Sequence, residues 1–147
     1  MEQLSEEESL RLAAGSEVGR IGFTGRYGPV ILPVNFRIVD GAVVFRTEAD
    51  SALVEDLRTG IPGAEYRVAF EVDDIDNSDR TGWSVMIQGP AHYLEPEERA
   101  GAEAARVDPW IGGDKETYIS IRPVHITGRR IRRGLPGFPH EPCFSWP

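Results

Sequence analysis

Thr81-Gly82-Trp83-Ser84-Val85-Met86-Ile87-Gln88-Gly89-Pro90-Ala91 is the stretch that decides the fold of this chain. Trp83, Val85 and Ile87 alternate with Ser84, Met86 and Gln88, the period of two that gives a strand one buried face. Gly82 and Gly89 bracket the run, at positions where a backbone can bend or admit a close neighbour. Working outward, the same alternation recurs. Tyr66, Val68, Phe70 and Val72 alternate with Arg67, Ala69 and Glu71, which predicts a half-buried strand before the polar run 73–80. Residues 18–24, 30–39 and 42–47 read as three more strands. A turn at Gly25-Arg26-Tyr27-Gly28-Pro29 and a hairpin turn at Asp40-Gly41 join them. Residues 117–122 and 125–131 read as one bent strand or two short ones, interrupted at Pro123.

Helices are few. Ser5 is a good N-cap and Glu8, three residues on, completes a capping box. Leu10, Leu12 and Ala13 supply the apolar side of that helix and Gly15 ends it. Leu53, Val54 and Leu57 have helical spacing after Ser51, and Gly60 and Pro62 stop the run. Pro96 suits the first turn of a third helix. The strand pattern therefore predicts a mainly β, α+β chain: six or seven strands in a closed or nearly closed antiparallel barrel with short peripheral helices. Residues 1–133 form one domain, and 134–147, with four prolines, an irregular tail.

Composition excludes several function classes. A net charge of −8 argues against DNA or RNA as partner, because phosphate backbones need a basic surface. No apolar run approaches the ~18 residues of a membrane helix. The first residues, through Glu8, are acidic and polar where a secretory leader has a positive start, so none is expected. The single cysteine, Cys143, has no internal partner, which fits a reducing cytoplasm. His92, His125 and His140 lie far apart without metal spacing, and no metal site is expected. The acidic run Asp73, Asp74, Asp76 and Asp79 lacks the glycine and closing Glu of a calcium loop.

The 81–91 strand resembles a signature strand of the flavin-binding split-barrel family related to pyridoxamine 5'-phosphate oxidase, in its small oxidase-like branch. Two further motifs follow the family order. Val43-Val44-Phe45-Arg46-Thr47, with Asp50-Ser51, falls where the family holds the flavin phosphate. Trp110 and Ile126-Thr127-Gly128-Arg129-Arg130-Ile131 match its C-terminal part, so the resemblance spans about residues 5–131. It implies an antiparallel split β-barrel and a homodimer that shares its flavin sites across a two-fold interface. It implies FMN as cofactor, with a deazaflavin on the same barrel as the alternative.

The resemblance also implies the binding residues. Arg46, Thr47 and Ser51 face the phosphate, and the backbone of Pro33, Val34 and Asn35 lies along the isoalloxazine. Trp83 and Ser84 approach the ring, and Trp110 either packs on its own chain or covers a partner subunit's flavin. Each has a plainer role open to it: Ser51 as a helix cap, Trp83 as core packing, Arg46 as a solvated charge. One position departs from the family. Where a basic residue, often Lys, follows the phosphate-binding Ser, this chain has Ala52 and then Leu53. Losing that charge-assisted contact costs about 1.5–3 kcal/mol if the site is buried. The implied activity is hydride transfer between flavin and a small organic molecule or nicotinamide, and a carrier or sensor without turnover is the alternative. No side chain stands out as an acid or base, so the catalytic residues are unknown.

Overall fold

The computed structural model describes residues 1–48, 51, 53, 54, 57, 65–107 and 117–132. Ala52, Trp110 and the tail 134–147 lie outside the described residues. The elements run in order β1 (Glu2–Leu4), α1 (Glu6–Ala14), β2 (Val18–Gly25), β3 (Gly28–Val39), β4 (Ala42–Thr47), β5 (Arg67–Asp76) and β6 (Thr81–Tyr93). A 3-10 turn (Pro96–Glu98), α2 (Ala100–Ala104), β7 (Thr117–Ile121) and β8 (His125–Ile131) follow. Leu53, Val54 and Leu57 are helical.

Six strands close a barrel. The hydrogen-bonded order β6-β5-β2-β3-β4-β7 returns to β6 through a β6–β7 pairing, and β8 and then β1 extend the sheet beyond β6. Every pairing is antiparallel. Closure depends on two long strands that change partner midway. The first half of β3 pairs with β2, Val18 opposite Asn35, while its second half pairs with β4, Phe36 opposite Phe45. Strand β6 pairs with β5 and β8 as far as Gln88 to Pro90, then turns to β7 at Ala91. Gly89 sits at that corner. A Cβ there would collide with the carbonyl oxygen of Arg122, so only glycine lets the strands cross so closely.

The alternation read in the sequence fills the barrel. Val85 and Ile87 of β6 face inward opposite Val72 and Phe70 of β5. Phe36 and Phe70 meet edge to face, with ring centroids 4.9 Å apart. Leu53 and Val54 pack into the same core, as does Ala13 of α1. Each buried Val, Leu, Ile or Phe side chain here contributes about 1.5–3 kcal/mol by leaving water.

Several local expectations shift. The capping box at Ser5 is half formed. Ser5 Oγ accepts from the Glu8 amide at 3.2 Å, but the Glu8 carboxylate turns to Arg130 (3.0 Å) and Arg11 (3.5 Å). Strand β5 continues through Asp76, because Asp73–Asp76 pair with Ser84–Thr81 of β6 in a long hairpin. The Asp76 carboxylate closes it, accepting from the amides of Ser78 and Asp79 and the Ser78 hydroxyl. The helix expected from Pro96 divides into a 3-10 turn and the short α2.

Candidate functional site

The implied phosphate residues lie where β3 leaves β4. Phe36 and Phe45 form the last pair of that ladder, so Asn35 and Arg46 are the first residues past the fork. Pro33, Val34 and Asn35 on one arm and Arg46 and Thr47 on the other thus start from a common point. Along β3, Pro33 and Asn35 share one side of the strand. Val34 turns to the other side, against the core. Ser51 stands four residues beyond Thr47. Its hydroxyl accepts from the Val54 amide at 3.4 Å, the geometry of a helix cap.

Across β4 from Arg46 lies Tyr118 of β7. The Arg46 guanidinium stands over the Tyr118 ring, 5.3 Å from its centroid. A second guanidinium, that of Arg99, reaches the same ring at 5.8 Å. Tyr118 is itself 8% exposed, packed with Val44, Ala102 and Val107 in a small apolar cluster outside the barrel. Leu94 ties the arrangement together. Its amide donates to the Tyr118 carbonyl at 2.8 Å, and its carbonyl accepts from Arg99 Nε at 3.4 Å. Two cations at one sheltered aromatic ring suit an anionic group, so these residues fit a flavin phosphate.

Trp83 and Ser84 are elsewhere. Both are on β6, separated from β3 by β2 and β5. Three strand spacings amount to about 14 Å, so one chain does not bring them to Pro33–Asn35. Trp83 packs against the barrel core. Ser84 points outward, opposite Asp73 and Arg129.

The outer face around Ser84 has its own character. The register sets Ile31, Gly22, Ala69, Gln88 and His125 in one row across β3, β2, β5, β6 and β8. Gly22 and Ala69 leave the middle of the row low, and an open groove of about 550 Å³ runs there. The next row carries Pro33, Arg20, Glu71 and Met86. Arg20 pairs with Glu71 at 3.3 Å and with Asp73 at 3.6 Å. Burial, with the hydrogen bond and charge of Asp73, pushes the Glu71 carboxyl up to about 7 against the pull of Arg20. Among the described residues, no group of three His, Cys, Asp or Glu is placed to hold a metal ion. Nor is any described helix long and apolar enough to cross a membrane.

The comparisons with known proteins agree with this architecture. Residues 5–130 match the family model described as pyridoxamine 5'-phosphate oxidase. The chain belongs to that family. An uncharacterized Mycobacterium tuberculosis protein, Rv0080, is 36% identical over 129 residues, 88% of this chain and 84% of its own length. Among solved structures, an FAD-binding protein from Mycobacterium smegmatis is 32% identical with a TM-score of 0.71. The match covers 89% of this chain and 100% of that one. A conserved protein of unknown function from Corynebacterium diphtheriae is 26% identical, with a TM-score of 0.67, over 90% and 98% of the two chains. This member of the oxidase family is a split barrel.

Sequence reasoning missed Arg99 and Tyr118. Tyr118 meets Arg46 only through the β4–β7 pairing, which joins residues about seventy positions apart. Arg99 follows a proline-initiated turn and has no periodicity to mark it.

Proposed function

We propose that this protein is a homodimeric flavin-nucleotide-binding oxidoreductase. It takes FMN, or the riboflavin 5'-phosphate unit common to FMN and FAD, and acts on a small organic molecule or a nicotinamide. The observation that carries this is the fork of β3 and β4, where Pro33–Asn35 and Arg46–Thr47 diverge from one point beside a cation-bearing tyrosine. The 32% identical Mycobacterium smegmatis structure of an FAD-binding protein supports a flavin over other ligands.

When bound, the flavin supplies the hydride chemistry. The chain's own residues bind and orient. Arg46 offers a forked cation to the phosphate, and the Thr47 hydroxyl offers a further donor. The β3 backbone at Pro33–Asn35 offers hydrogen bonds to the polar edge of the ring. Ser84, which points outward, reaches a ring held at β3 only from a second copy, since two strands intervene within one chain, while Trp83 packs in its own core. The outer face that exposes Ile31 and Met86 in adjacent rows is a surface for that second copy to cover. A cytoplasmic setting accords with the single Cys143.

Mass spectrometry of small molecules released on denaturing the purified protein tests the reading. FMN or FAD is the expected result. A deazaflavin converts the protein into a reductase of the related kind. A flavin that no nicotinamide or substrate reduces makes it a carrier, and the absence of all of these overturns the proposal.

A further inference from the structure

We infer that Arg99 is the second cation of the phosphate site, standing in for the basic residue the chain lacks at position 52. The inference rests on the flavin reading above and deepens it. Ala52 and Leu53 leave the two positions after Ser51 without a positive charge. The fold supplies one from elsewhere. Arg99 arrives from the turn before α2 and converges with Arg46 on the Tyr118 ring, at 5.8 Å and 5.3 Å. Their guanidinium carbons are therefore at most about 11 Å apart. Two guanidiniums that each fork onto one phosphate stand roughly 8 Å apart, and a diphosphate spreads them a few ångströms further. The bound admits either.

Arg99 is also held rather than free to wander. Its Nε donates to the Leu94 carbonyl, and the Leu94 amide is hydrogen bonded to the Tyr118 carbonyl, so the side chain is registered on β7. A preset cation loses less side-chain entropy on binding than a mobile one. The ring beneath offsets some of the repulsion between the two guanidiniums, and an anion between them removes the rest. The ligand class this selects is a phosphoryl group, not the uncharged riboflavin.

Calorimetric titration with riboflavin, FMN, FAD and pyrophosphate tests it on the full chain, comparing wild type with Arg99→Gln, Arg99→Lys and Arg11→Gln. Arg11, an exposed side chain of α1 paired with Glu8, reports the effect of any lost charge. Arg99→Gln is expected to weaken FMN and FAD by roughly tenfold to a hundredfold, the loss of one charge-assisted contact, and to leave riboflavin within about twofold. Arg99→Lys, which keeps the charge and the packing of the stem, is expected to fall between. If Arg99→Gln does not fold, Arg99→Lys against wild type decides. An unchanged FMN affinity in a folded variant overturns the inference while the flavin reading stands. Equal losses for riboflavin and FMN also overturn it, because Arg99 then only props α2. If wild type binds pyrophosphate through Arg99 but no flavin, the cation assignment survives and the flavin reading falls. If it binds neither, both fall.

Discussion

The two outer faces of the barrel are built differently. The β3-β2-β5-β6-β8 face is open. Ile31 is 71% exposed and Met86 38%, and the polar groups Arg20, Glu71 and Asp73 sit among small apolar ones. The β4–β7 face is sheltered by its own chain, with Tyr118 at 8% exposure under Val107 and α2, and with two guanidiniums at its margin. An open apolar sheet face asks for another protein surface. A sheltered aromatic with cations asks for a small anion. On the proposed function the barrel separates association from charge recognition, and each face can be tested on its own.

The largest effect is expected on the open face. Ile31→Glu with Met86→Glu places two charges where a second copy is proposed to pack. The dimer dissociation constant should rise by ~100-fold or more, read by sedimentation equilibrium. An unchanged association would move the interface off this face. Next comes the sheltered face, where Arg46→Ala should weaken FMN by roughly tenfold to a hundredfold and spare riboflavin. Equal losses would mean that Arg46 supports the fold.

Glu71 sharpens the contrast through pH. Its folded pKa, about 7, lies above the ordinary 4.5, so the folded protein holds the proton more tightly than the unfolded chain. That contribution to stability is complete below about 4.5 and is lost as pH rises through about 7. Glu71→Gln, which mimics the protonated acid, should raise Tm at pH 8 and give no gain at pH 4. Thermal melts at both values check it, and an equal gain at both would sink the proton-linked account. The smallest effect is Ala52→Lys. On the proposed role of Arg99, the added cation should tighten FMN by ~1 kcal/mol or less, and by more in the Arg99→Gln background. Calorimetry of the double-mutant cycle reads the coupling, and additivity would separate the two positions.

Much of the barrel was legible because it is written in the period of two. Strand β4 matches its expected bounds, and Trp83, Val85 and Ile87 face inward as their alternation implied. Strand β1 was not legible: three residues, Glu2–Leu4, are ordered by Gly128–Arg130 of β8 rather than by any pattern of their own. The polar Asp73–Asp76 arm escaped notice for the same reason, since its pairing with β6 carries it rather than buried side chains. At the candidate site, the motif pointed to Arg46 and Thr47 but not to the Tyr118 ring beside Arg46. Arg99 could not, because the contact that gives it meaning runs through β7, far along the chain.

The late arrival of β7 bears on how the protein is made. The edge of β4 from Val43 to Thr47 has its partner only in Thr117–Ile121, and the closing seam of β6 on β7 uses three pairs. A ribosome adding roughly 5–20 residues each second takes several seconds to deliver those seventy residues. During that interval the nascent chain presents Val43, Val44 and Phe45 beside an unsatisfied strand edge, the kind of surface that recruits other chains. Folding of this barrel during synthesis is therefore set by its last internal strand, and crowding on a polysome should threaten it most just before Ile121 emerges.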